Sequence, residues 1–230
     1  MFLGHFGVGF GAKAAAPRVS LGTLFLSAQL LDLAWPTMLT LGLERVEILP
    51  GATKVTPLAF VHYPWTHSLA LVVVWSLAFA ATYAAVRRYP RGAAIVGVLV
   101  ASHWLLDFLV HRPDLPLWPG GTTVGLDAWD SLPATLLLEL GLFVGGFALY
   151  LRTTRANDRL GAALAWFLAL FLAAIYAGNL FGPPPPSVEA IAWAGQAQWL
   201  LVLLGYWTDR HRSPRAGGAV SPRALAARPA

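Results

Sequence analysis

The sequence contains no cysteine, which excludes a disulfide framework and any thiolate metal site. A metal, if one is bound, must be held by His and carboxylate groups, a donor set that suits zinc, manganese, iron or magnesium. Charge is also scarce. Only 12% of the 230 residues are charged, against about 25% in an ordinary soluble domain. In their place, 57% of the chain is hydrophobic and the mean hydropathy is +0.61. Several apolar runs approach or exceed the roughly 20 residues needed to cross a bilayer. This composition predicts an all-α, polytopic membrane protein.

Six long apolar segments stand out, at about 19–43, 66–86, 92–110, 132–151, 160–181 and 188–208. They predict six transmembrane helices. Residues 2–12 are apolar but too few to span. Gly4, Gly7 and Gly11 give them one small-residue face, so they fit either a short N-terminal half-helix dipping into the bundle or a plain interfacial anchor. The first residues lack the cationic start of a signal peptide, so this segment is expected to be retained. Residues 1–208 then form one membrane-embedded helical domain, with the candidate site within 1–140. Residues 209–230, rich in Arg, Pro, Ala, Gly and Ser, read as a disordered basic tail.

The cations sort by side. With the N-terminus, 87–91, 152–159 and the tail placed together, only Arg45, Lys54 and Arg112 of the sixteen Lys and Arg residues fall opposite. The positive-inside rule places both termini in the cytoplasm. It also accounts for the net charge of +5 without a nucleic-acid partner. Membrane lipid is the expected surrounding, and Gly141-x-x-x-Gly145 offers a face for helix packing or a homo-oligomer.

What is present inside the apolar segments is harder to explain by packing. Asp32, Asp107 and Glu139 fall within spans, and His5, His67, His103 and His111 fall in or at the ends of apolar helices. A charged group in hydrocarbon is costly unless paired or hydrated. No lysine or arginine lies in any span core to pair with these carboxylates. A divalent cation resolves the problem, since it pairs with carboxylates and takes neutral imidazole. Steps of four rotate about 40° on a helix, so His103, Asp107 and His111 predict one polar stripe. His103 and Asp107 can bind one ion, whereas His111, about 12 Å further along, is expected at a second ion, beside the ligands or at substrate. Asp32 or Glu139 would serve as general base. Arg112, Trp65, Trp118 and Trp129 are expected toward the opposite, outer surface, as an interfacial belt or a headgroup contact.

The stretches GHFGVGFGAK at the start, WTHS at 65–68, and SHWLLD at 102–107 occur in order with Asp32 between the first two. Together with PWTHSL and SHWLLDFLVHRPDLPL they resemble the bacterial inner-membrane metal-dependent hydrolases of the LexA-binding, inner-membrane-associated type. The resemblance covers about residues 1–140. That family is distantly similar to zinc-dependent phospholipase C. The resemblance implies His5, Asp32, His67, His103 and Asp107 as ligands of a divalent metal, zinc foremost with manganese or iron as alternatives, and His111 and Glu139 as additional ones. It implies a hydrolase acting on a phosphoester, lipid-like substrate. The soluble enzymes have a longer gap after their His-x-x-x-Asp and are not polytopic. Two other classes share the same residues: a proton- or ion-coupled transporter, and a non-catalytic membrane protein with a structural metal.

Overall fold

In the computed structural model, residues 1–215 are described, and they form an all-α polytopic membrane fold. Among the described residues, five helices are long and apolar enough to cross a bilayer: α5 (Leu69–Arg87), α6 (Pro90–Val110), α7 (Leu132–Thr153), α8 (Arg159–Phe181) and α9 (Val188–Arg210). Their boundaries are marked by local chemistry. Ser131, Asp158 and Ser187 cap α7, α8 and α9 by accepting N–H bonds from Ala134, Gly161 and Ala190. Pro90 opens α6, where its missing N–H costs nothing.

The first apolar segment differs from a single span. It divides into α2 (Leu21–Ala28) and α3 (Leu30–Thr40), with the break at Gln29. The proline does not make that break: Pro36 lies inside α3 and packs where a Cβ on Gly195 of α9 would stand. The N-terminal segment is helix α1 (Leu3–Ala15), and it lies within the bundle rather than on its surface, with Leu3, His5, Phe6 and Phe10 buried. Its glycines matter here. A Cβ on Gly7 would overlap the backbone of Leu142 and Phe143, and one on Gly146 would overlap the Gly7 carbonyl, so α1 and α7 touch backbone to backbone. Gly141 and Gly145 have nothing within 4 Å of a built Cβ, so the close pairing in this chain belongs to Gly146. Phe10 centres an aromatic core, with ring centroids 4.9 Å from Phe25 and 5.2 Å from Phe147.

Four cation-bearing segments meet at one end of the bundle. Lys13 pairs with Asp209 at 2.7 Å, and the Arg18 guanidinium lies 4.6 Å from the Tyr89 ring centroid. The strand Thr154–Ala156 pairs with the strand Arg212–Pro214, and Arg212 donates to Thr154 Oγ1 and the Gly161 carbonyl. Residues 209–215 are therefore ordered, contrary to the expectation for the tail, because this buried arginine and a strand pair hold them. The remainder of that expected tail, 216–230, lies outside the described residues. Between α3 and α5, hairpin β1 (Arg45–Ile48) and β2 (Leu58–His62) leads into the short helix α4 (Pro64–His67).

Candidate metal centre

Five polar residues of the sequence converge in one place. Asp32 comes from α3, just past the break, and His67 from the end of α4. His103 and Asp107 lie one turn apart on α6, and His5 comes from α1. Among the described residues, two groups of three each bring one ligand atom per residue to within 4.8 Å of the others: Asp32, His67 and His103, and His5, His103 and Asp107. The His67 Nε2 is 3.5 Å from Asp32 Oδ1 and 3.7 Å from Asp107 Oδ2. The His103 Nε2 is 3.6 Å and 3.2 Å from the same two oxygens. Metal–ligand bonds of 2.0–2.2 Å in a tetrahedron set ligand–ligand edges of about 3.4 Å. Those four separations lie near that edge, but Asp32 and Asp107 share no group of mutually close ligand atoms, so the four residues do not close a tetrahedron.

The orientation of both imidazoles is fixed from behind. The His103 Nδ1 is 2.7 Å from the Ala28 carbonyl oxygen, which can only accept, so Nδ1 carries the proton. Ala28 is the last residue of α2, where helix carbonyls lack internal partners. The His67 Nδ1 is 2.7 Å from Thr66 Oγ1. Thr66 Oγ1 in turn donates to Glu44 Oε2 at 2.8 Å, and the Thr66 N–H donates to Glu44 Oε1 at 2.8 Å. A hydroxyl has one proton, so Thr66 accepts from His67. In their neutral forms both rings therefore turn an Nε2 lone pair toward the two carboxylates, and the His103 Nε2 is buried without a hydrogen-bond partner. Lone pairs facing anions repel unless a cation lies between them or the rings take a proton on Nε2. The terminal amine of Met1, 2.6 Å from Asp107 Oδ1, already offsets part of the charge of that carboxylate. The donor set and the orphaned nitrogen fit a divalent ion.

His5 joins from the far side of Asp107. Its Nε2 lies 3.1 Å from Asp107 Oδ1, and its ring stacks on His103 with centroids 3.7 Å apart and planes 5° from parallel. Since the single His103 lone pair belongs to both groups of three, it serves one ion, with His5 against the other oxygen of Asp107. Asp32 is the opening, at 22% side-chain exposure, while His67, His103 and Asp107 are all buried.

Two expected site residues are placed elsewhere. The third apolar helix stops at Val110, so His111 leaves the stripe: its backbone is extended and Pro113 follows closely. His111 Nδ1 instead lies 3.0 Å from Asp114 Oδ1 and 3.3 Å from the Tyr63 hydroxyl, with Trp129 against its ring at 4.3 Å. Glu139 caps α1, its two oxygens accepting the N–H groups of Phe2 at 2.9 Å and Gly4 at 2.7 Å. Neither residue belongs to the clustered ligand sets among the described residues. Trp65 and Trp118 are exposed, Trp129 is buried, and Arg112 donates to the Ala52 carbonyl.

Glu44, Thr66 and the Ala28 carbonyl were not legible as parts of a site. Glu44 sits in the charged stretch ERVE after a span, where a carboxylate is unremarkable, and a backbone carbonyl has no sequence signature. The only available signal was that Thr66 directly precedes His67.

No protein-family model, curated protein or solved structure matches the chain. The hydrolase resemblance thus rests on its motifs.

Proposed function

We propose that the chain is a membrane-embedded, metal-dependent hydrolase that holds a divalent ion, zinc foremost, on Asp32, His67, His103 and Asp107. The observation that carries this reading is the meeting of two oriented imidazole nitrogens and two carboxylate oxygens at 3.2–3.7 Å. An ion held there, with one coordination position left to a water, would supply Lewis acidity and bring the pKa of that water toward neutrality. His5 supports Asp107 from its second side. Asp32, the partly exposed ligand, is the group that a water or substrate meets first, which favours it over Glu139 as the base. Glu139 already has both oxygens on backbone N–H groups.

The substrate class follows from the surroundings. Ligands carried on apolar helices meet lipids, and a phosphoester is the lipid bond whose charge a Lewis acid best offsets. Gathering of the cation-bearing segments 13–18, 87–91, 152–161 and 209–215 at one end supports cytoplasmic termini in an inner membrane.

Metal analysis of detergent-purified protein tests the first step, with His67→Ala and Asp107→Ala as companions. Stoichiometric metal in the wild type and its loss in both variants is the expected result. Release of headgroup phosphate from mixed phospholipid vesicles by the metal-loaded protein tests the second. Metal without turnover would leave a structural ion, and solute flux in proteoliposomes without hydrolysis would make the protein a transporter.

A further inference from the structure

Behind the ligands, a buried carboxylate reaches the site through a hydroxyl. Glu44 is 2% exposed, Thr66 is fully buried and His67 is 4% exposed, so solvent does not compete for their hydrogen bonds. Glu44 lies just after α3, and its backbone N–H is fixed to the Met38 carbonyl at 3.2 Å. Both its oxygens converge on one residue, Oε1 on the Thr66 N–H and Oε2 on the Thr66 hydroxyl. We infer that Glu44 is a positioning residue that sets the tautomer of His67 through Thr66. It thereby keeps the His67 Nε2 unprotonated and aimed between Asp32 and Asp107. This rests on the metal reading for its purpose but not for its geometry.

The direction of the chain follows from proton counting. A carboxylate offers only acceptors, so the Thr66 proton must go to Glu44. The Thr66 oxygen is then left as an acceptor, and the neighbouring His67 Nδ1 must donate. Partners of this kind, behind a metal-binding histidine, fix ring orientation and raise ligand basicity. The counting also says what Glu44→Gln would do. The amide must keep its carbonyl on the Thr66 N–H, because its NH₂ there would set donor against donor. The NH₂ then faces the Thr66 oxygen and donates to it. Thr66 is left to turn its own proton toward His67 Nδ1, which becomes the acceptor. The ring proton moves to Nε2, where it faces Asp32 and Asp107 and blocks a metal. A substitution of one oxygen by NH₂ reverses the whole chain.

The test uses the full-length protein in detergent with ¹⁵N-labelled histidine. Long-range ¹H–¹⁵N spectra of the metal-free protein are expected to show His67 protonated on Nδ1 in the wild type and on Nε2 in Glu44→Gln. Competition against a chelator with zinc alone is expected to show about 10–100-fold weaker binding in Glu44→Gln. Thr66→Val, of nearly the same shape but without the hydroxyl, is expected to weaken binding as well, and Thr66→Ser to restore it. A purely structural role would move stability without moving the tautomer. The inference is overturned if wild-type His67 carries its proton on Nε2, or if Glu44→Gln leaves both tautomer and affinity unchanged. Should the wild type bind neither zinc, manganese nor iron, the hydrolase reading falls, and the spectra alone still decide the relay.

Discussion

The Nδ1 of His103 is held at 2.7 Å by the carbonyl oxygen of Ala28, a bond that exists because the first apolar segment breaks one residue later. An unbroken helix would commit that carbonyl to its own ladder. The break at Gln29 thus serves two residues of the site: it frees the acceptor that orients His103, and it starts the new helix that carries Asp32.

His103→Ala separates these contributions. Without the imidazole, the Ala28 carbonyl loses its partner, which costs about 1–3 kcal/mol in a buried setting. The metal set also loses the member common to both groups of three. Zinc added at about 100 times its dissociation constant is expected to stabilise the wild type by about 2.7 kcal/mol and the variant not at all. Thermal unfolding in detergent with and without zinc measures both. An equal zinc-induced rise in the two proteins would remove His103 from the site.

Glu139 was expected as a base or an extra ligand, and its geometry argues for a cap. Glu139→Gln places an NH₂ against one of the two backbone N–H groups of α1, since only one amide atom accepts. The expected cost is about 1–3 kcal/mol of stability, with metal stoichiometry unchanged. Paired melting and metal measurements check this. Loss of metal at an unchanged melting temperature would return Glu139 to the ligands.

Much of the fold was legible in the sequence, and the reason is physical. Long apolar runs ended by Ser, Asp or Pro caps give α6 to α9 to within a few residues, because hydrophobicity and capping are local properties. The meeting of His5, Asp32, His67, His103 and Asp107 was legible as well, since no lysine or arginine in a span core was there to pair the carboxylates. The terminal amine of Met1, 2.6 Å from Asp107 Oδ1, is a cationic partner not expected from the sequence. What stayed hidden depends on tertiary geometry. Gln29 has no helix-breaking chemistry, whereas Pro36, which has, remains inside a helix. His111 keeps the step of four from Asp107, yet the helix ends beneath it before that spacing can act.

The contact of α1 with α7 gives a contrast within two adjacent positions. Gly146→Ala forces a Cβ onto the Gly7 carbonyl and must push α1 away, carrying His5 with it. The expected cost is about 1–3 kcal/mol. Gly145→Ala meets nothing within 4 Å, and removing a glycine from a helix interior favours the fold by about 0.5–1 kcal/mol. Melting temperatures of the two variants should therefore move in opposite directions. A loss for Gly145→Ala as large as for Gly146→Ala would show that α1 does not approach α7 through Gly146.

At the cation-rich end, Asp158 provides a pH-dependent tie between the start of α8 and the residue after α9. Its Oδ2 lies 2.8 Å from His211 Nδ1 and its Oδ1 accepts the Gly161 N–H at 2.6 Å. The hydrogen bond with His211, and after it the one from Gly161, holds its carboxyl below the ordinary 3.8. A carboxyl whose pKa is lowered by folding adds stability above its unfolded value and loses it as the pH falls through the folded one. Asp158→Asn keeps a competent helix cap but gives up the charge. The variant is expected to melt below the wild type at neutral pH. The gap should narrow as the pH falls below about 4 and close once both side chains are neutral. Thermal unfolding in detergent between neutral pH and about pH 3 follows the gap directly. A gap that is constant with pH would mean that the cap, not the charge, ties these two helices together.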